Sequence, residues 1–346
     1  MNDVADRAGV SVFTVSRVVN NAGFVRDDTR QRVETAIAEL GYVPSAVARR
    51  LRSSQYHAIG LLMSDISNPV WMATIAGIQS YFSDKDIGLV LGNDRSDLDE
   101  ERRQLKIAFS QGVDGIIIIP LRDESRAVVE EIVRRGVPCV VLARSGDYGV
   151  DQVHADYRAG AYTLTQHLLA EGHRRIALLN GPRNLSVARE RLSGYLAALT
   201  EAGILPDESL ISWGPYTVAA GAERAHEILL TCPDLPTALM AGNNSIALGI
   251  LEALGEHALE VPDDMAVACF SGTPTLYSFL TVMDAPHVEM GRLAAEMLYE
   301  RMQGYDGAPR VHVLPEEMRV RPSSSNVSTS SKLNSRRTWV LGRLDD

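Results

Sequence analysis

Within Asp3–Asn21, DVADRAGVSVFTVSRVVNN, an apolar pair, Val12 and Phe13, is followed one helical turn later by a single cation, Arg17. Val15, Val18 and Val19 recur at i, i+3 and i+4 and can face a core, which leaves Val12, Phe13, Ser16 and Arg17 on the other side. Upstream, Val4, Ala5 and Ala8 form a first short helical pattern that Gly9 ends, and Ser11 supplies an oxygen to cap the second. Two short helices joined by a tight Gly-containing turn make a helix-turn-helix, whose second helix suits the DNA major groove. An ordinary helical hairpin has the same pattern.

A second set of chemistry-bearing residues follows apolar runs. SDISNPVW (64 to 71) offers the hydrogen-bonding groups of Asp65, Ser67 and Asn68 and the flat face of Trp71. Gly181-Pro182 precedes Arg189 in ARERLSGY, and Asn243-Asn244 closes another run. In open parallel sheets ligands bind at the carboxyl ends of strands, where all of these fall. Helix capping by the polar groups, core packing by Trp71 and a place on an exposed helix surface for Arg189 are the structural alternatives. No G-x-S-x-G, G-x-x-x-x-G-K-[ST], H-E-x-x-H or strand-linked G-x-G-x-x-G is present, so no catalytic residue, metal ligand or cofactor is expected. His173, beside Arg174 and Arg175, is expected on a solvated loop.

The elements that must position these groups divide the chain. Thr29–Leu40 gives a third amphipathic helix, with Val33, Ala36, Ile37 and Leu40 on one face and Asp27 or Asp28 as caps. Pro44 stops it, and Ala46–Leu51 can form a turn or two of helix only when something holds it. From Ile59 apolar runs at 59–63, 87–92, 115–120, 137–143, 176–181, 237–242 and 265–270 alternate with amphipathic helices, the pattern of parallel strands buried on both faces. A helix near 287–303 and a strand near 311–321 complete the globular part, and the serine-rich end lacks any period. The expected fold is an N-terminal all-α helix-turn-helix domain (1–43), a hinge segment (44–56), an α/β core of two doubly wound lobes (57–322) and a disordered tail (323–346).

Composition narrows the function. The chain has 346 residues and a formal net charge of -10, so contact with a polyanion must be local. Residues 1–52 hold eight Arg and no Lys against six Asp plus Glu, an excess of +2 where it is needed. Cys139, Cys232 and Cys269 lie far apart and are expected as reduced thiols. With no leader pattern and no long apolar run, a cytoplasmic protein without a membrane partner is expected.

In order along the chain, DVADRAGVSVFTVSRVVN, ELGYVPSAVARRL, SDISNPVW, HADYRAG, EGHRRIALLNGP, ARERLSGY and MAGNNSIALG resemble the LacI/GalR family of bacterial transcriptional repressors, from residue 2 to about 322. The resemblance implies a periplasmic-binding-protein-like core and a homodimer on a pseudo-palindromic double-stranded DNA operator, with a small-molecule effector, a sugar or sugar derivative, between the lobes. By motif position Val12 and Phe13 would face base edges, Arg17 would read or anchor in the major groove, and Ser11, Thr14 and Asn20 would meet phosphates. Leu51 would be a hinge leucine wedged between central base pairs, with Ala48 against the minor groove. Asp65, Asn68, Trp71, Arg189, Tyr216 and Asn243 fall at or near effector positions. The chain departs from the family where Cys269-Phe270-Ser271 replaces G-[FY]-D, Leu142-Ala143-Arg144 replaces V-D-R, and Asn243-Asn244 replaces N-D. A cleft lacking these acids suits a negatively charged ligand, met by Arg144 or Arg189, with Ser271 in place of a carboxylate. The family's Thr-Ile pair before D-V-A is absent, so either Asn2 caps the first helix or the start lies upstream. A solute-binding sensor of the same two-lobed fold is the alternative reading.

Overall fold

The structure, a computed structural model, describes residues 1–19, 22–42, 58–272 and 278–325. The chain separates into two compact units, Met1–His57 and Ala58–Asp346.

In the first unit α1 (Asn2–Ala8), α2 (Val12–Val19) and α3 (Asp27–Leu40) close a small core around Val4, Ala5, Ala8, Val15, Val18, Val33 and Ala36. Gly9 and Gly41 end α1 and α3 in the left-handed conformation, φ 63° and 55°, which glycine adopts without the clash a Cβ would make. Two local expectations change. Asn2 lies inside α1 and Met1 at its cap makes no side-chain bond, so Asn2 does not cap. Asp27 and Asp28 form the first turn of α3, where their charges face the positive end of the helix dipole. Leu40, expected inward, is 46% exposed, and Tyr42 packs against the core.

The second unit holds twelve strands: β1 Ala58–Met63, β2 Gly88–Asn93, β3 Gly115–Ile118, β4 Cys139–Leu142, β5 Asp151–Ala155, β6 Ile176–Asn180, β7 Ile211–Trp213, β8 Ala238–Ala241, β9 Ala266–Phe270, β10 Thr281–Asp284, β11 Val311–Leu314 and β12 Glu317–Arg319. They form two six-stranded sheets, β11-β5-β4-β3-β1-β2 and β12-β10-β9-β8-β6-β7, parallel except for β12. Runs such as Ile116-Ile117-Ile118 and Leu239-Met240 are fully buried because helices cover both sheet faces. Strand order reverses between β1 and β3 in one sheet and between β6 and β8 in the other, which opens a crevice at the carboxyl end of each.

The chain crosses between lobes three times. Tyr157 opens the helix Tyr157–Ala170 after β5, His287 opens the helix His287–Met302 after β10, and Glu316 links β11 to β12. The strand expected over 311–321 is therefore two strands, one in each sheet. Ser323 and Ser324, assigned above to the tail, are buried: Ser323 Oγ donates to Val267 O at 2.7 Å and accepts from Thr281 N at 2.8 Å. His173 is not on a solvated loop; it is 2% exposed, with Nδ1 3.0 Å from Thr237 Oγ1. All three cysteines are free and buried, and burial pushes the Cys269 thiol up to about 12.

Candidate DNA interface and effector cleft

Val15 and Val18 take α2 into the core of the first unit, so the opposite face of the helix is turned outward. Val12 is 42% and Phe13 65% exposed, an unusual display for large apolar side chains on so small a unit. The Arg17 guanidinium carbon lies 4.6 Å from the centre of the Phe13 ring, so cation and ring form one protrusion. Ser11 Oγ accepts from Thr14 N at 3.2 Å and sits 3.0 Å from Thr14 Oγ1, which caps α2 and leaves both hydroxyls at its amino end. An apolar pair can meet thymine methyls and a guanidinium can fork onto guanine, the two contacts this face offers a major groove. Asn20, Ala48 and Leu51 lie outside the described residues, as does the whole of the expected hinge 44–56.

In the second unit the loops after β1, β3, β6 and β8 converge on a cavity of about 510 Å³, the size of a small-ligand site. Asp65, Asn68, Trp71, Arg144, Tyr216, Asn243 and Ser271, the residues proposed from sequence for the effector, all line it. Several also have the local roles weighed as alternatives. Asn68 Oδ1 accepts from Val70 N and caps the helix Pro69–Phe82, Asn243 Oδ1 accepts from Ile246 N and caps Asn244–Glu256, and Asp65 Oδ1 accepts from Ser67 N and Oγ. Trp71 is half-buried and meets His287 edge-on, ring centres 6.1 Å apart. Gly181 is dictated by Tyr216: a Cβ there would stand 2.1 Å from Tyr216 Cζ.

Arg189 is the exception. It is absent from the cavity wall and forks onto Asp123 of the other lobe, at 2.8 and 3.2 Å, with both side chains about half exposed. Arg191 takes the place expected for it. Its side chain is buried, donates Nη1 to Gly242 O, and lies 4.4 Å from the Phe270 ring and 5.3 Å from Tyr157, while Nε has no hydrogen-bond partner among the described residues. Residues two apart on a helix point roughly 200° apart, so an arginine that reaches the cleft and one that latches its rim cannot be the same residue.

Sequence reasoning also missed Tyr157 and His287, and left Asn244, singled out beside Asn243, without a role. Asn244 and Asn68 exchange amide hydrogen bonds across the lobes, at 3.1 and 3.3 Å. Tyr157 and His287 come from crossing points and form the cleft floor. Burial, aided by the nearby Arg191 charge, pushes His287 down to about 4, so its imidazole is neutral near pH 7 and its 3.8 Å approach to Asp284 is no ion pair there. Burial likewise pushes Asp94, close behind the cleft residue Asn93, up to about 7, and the Glu316 carboxyl up to about 8. No group of three or more His, Cys, Asp or Glu among the described residues is placed to hold a metal, and none of their helices is long and apolar enough to cross a membrane.

These two sites have counterparts in known proteins. The family model for bacterial regulatory proteins of the lacI family matches residues 1–45, and the model for periplasmic binding proteins and the sugar binding domain of the LacI family matches 56–320. The ribose operon repressor of Escherichia coli (strain K12) is 36% identical over 310 residues, 87% of this chain and 92% of that protein. The HTH-type transcriptional repressor PurR of Photobacterium profundum is 30% identical over 95% of this chain and 99% of its own length. Among solved structures, the lac repressor dimer bound to operator and the anti-inducer ONPF superposes with a TM-score of 0.81 at 30% identity, covering 94% of this chain and 98% of that one. With both sites and nearly the whole length accounted for in this way, the chain belongs to the LacI family of bacterial regulatory proteins.

Proposed function

We propose that this protein is a sequence-specific DNA-binding repressor whose operator affinity is set by a small molecule, a sugar or sugar derivative, held between the core lobes. One observation carries the reading: the same chain presents an outward-facing Val12, Phe13 and Arg17 and a cavity of about 510 Å³ at two topological switch points. A solute-binding sensor would have no use for the first.

The ligand's work is to favour one arrangement of the lobes over another. Contacts that cross the cleft, the Asn68–Asn244 pair and the Arg189–Asp123 fork, exist only when the lobes are apposed, so a ligand binding both walls adds to them. One α2 reads half of a site, and a homodimer on a pseudo-palindrome supplies the other half. The arrangement parallels that of the lac repressor dimer on its operator. The reduced, buried cysteines fit a cytoplasmic setting. A gel-shift with duplexes flanking the protein's own gene tests the reading. A salt-sensitive, sequence-selective shift that changes on adding ligand supports it, and no selective shift under any ligand condition removes it.

A further inference from the structure

We infer that the effector is an anion, a sugar-sized polyol bearing a carboxylate or a phosphate monoester, gripped by the arginines of the cleft wall. The inference rests on the repressor reading for its consequence at DNA but on the cleft alone for its chemistry. Four arginines, Arg95, Arg122, Arg144 and Arg191, line the cavity against one carboxylate, Asp65, in a chain whose formal net charge is -10. Charge of the opposite sign to the whole molecule, gathered around one cavity from both lobes, focuses a positive field on whatever enters.

Three of these arginines are held by backbone carbonyls rather than by ion pairs. Arg122 donates to Ser96 O, Arg144 to Pro120 O and Ala143 O, and Arg191 to Gly242 O; among the described residues none of the four forms an ion pair. Elsewhere the chain pairs its arginines readily, as at Arg103–Glu100, Arg175–Asp207 and Arg301–Asp151. Backbone carbonyls fix the direction of a guanidinium and leave its charge for a ligand. A buried cation is costly to leave unpaired, and Arg191 forms no ion pair among the described residues; the nearby Glu316 carboxyl, whose oxygens are buried without a hydrogen-bond partner among the described residues, is pushed up to about 8 by burial, against the pull of the Arg191 charge. Two loop residues reinforce the bias. Ala143 and Ser271, the residues just after β4 and β9, have φ of 58° and 55°, the left-handed region where Asp and Asn sit more easily, yet neither position carries an acid. Hydroxyls of the ligand have partners too, in Asn93, in the Asn243 amide nitrogen and in the Tyr216 hydroxyl, which is buried without a partner among the described residues.

The test is calorimetric titration of the full-length protein with matched pairs: ribose and ribose 5-phosphate, glucose, glucose 6-phosphate and gluconate, with inorganic phosphate as a separate arm. The expected result is one anionic member bound at least about 30-fold more tightly than its neutral parent, as two charge-assisted contacts would give. Competition by inorganic phosphate assigns a phosphate ester, and its absence with gluconate bound assigns a carboxylate. Ser271→Asp, at a wall position whose backbone accepts aspartate, and Arg122→Gln, on the half-buried rim, should each weaken that anion about tenfold with melting temperature unchanged. A neutral sugar binding as tightly as its charged partner, or no anion binding below about 1 mM, overturns the inference while leaving any selective gel-shift of the same preparation intact. Anion binding with no selective shift does the opposite, retaining the inference and removing the repressor reading.

Discussion

Replacing Arg191 by glutamine should weaken effector binding by about one to two orders of magnitude, whereas the same change at Arg189, two residues away, should cost far less. Arg191 is 3% exposed, lies against the Phe270 and Tyr157 rings and faces the cavity. A charge-assisted hydrogen bond lost from such a site costs about 1.5–3 kcal/mol, or roughly 10- to 150-fold in Kd. The Arg189–Asp123 pair has side chains 48% and 53% exposed, and pairs of that kind contribute about 0.2–1 kcal/mol, so removing it should weaken closure by no more than about fivefold. Titrating both variants with the tightest member of the sugar and sugar-anion series, after confirming equal melting temperatures, gives the comparison. Equal losses at the two positions would refute the assignment, because Arg189 has no access to the cavity in this arrangement.

Three further outcomes follow from the geometry. Arg17→Ala should relax specificity at one base-pair position, with a loss of about 1–3 kcal/mol against the preferred sequence; a uniform loss over all sequences in a binding-site selection would show that Arg17 holds only phosphate. Glu316, with its folded-state value raised from 4.5 to about 8, holds a proton that the unfolded chain has given up, so its contribution to stability falls as pH rises from about 5 to 8. Glu316→Gln should flatten the pH dependence of urea midpoints over that window, and an unchanged slope would show the carboxyl to be ionised in place. Gly181→Ala should displace Tyr216, since the added methyl would lie 2.1 Å from Cζ, lowering stability by about 1–3 kcal/mol and weakening the effector; an unchanged melting temperature and affinity would mean that the loop moves freely.

How much of this was legible in sequence depended on whether a signal was local. Gly9, Gly41 and the valine period declare the three N-terminal helices, and the buried runs declare most strands, because hydrophobic period and glycine punctuation act over a few residues. β5 went unread because Asp151, Gln152 and His154 are polar, and its burial is made tolerable by Arg301 and Arg310, which pair with Asp151 from about 150 residues away. β7 and β10 are short, and β10 ends in Asp284, so neither shows an apolar run. The confusion of Arg189 with Arg191 was avoidable. Ala188, Arg191, Tyr195 and Ala198 recur at helical spacing on the buried side of their helix, and Arg189 falls off that stripe. Tyr157, His287 and Glu316 were hidden for a deeper reason: they matter because the chain changes lobe at each, and no local pattern marks a crossing.

The central claim is that one molecule couples a reading head to a cleft. Its most direct measurement is fluorescence anisotropy of a labelled duplex, recovered by selection from random sequence, titrated with the full-length protein with and without the cleft ligand. The expected result is a two-fold pseudo-palindromic consensus and an affinity that the ligand shifts by about 5- to 150-fold, a shift that needs at least about 10-fold more ligand in Arg191→Gln. Tight selective binding that no cleft ligand alters, or ligand binding with no consensus recovered, would contradict it.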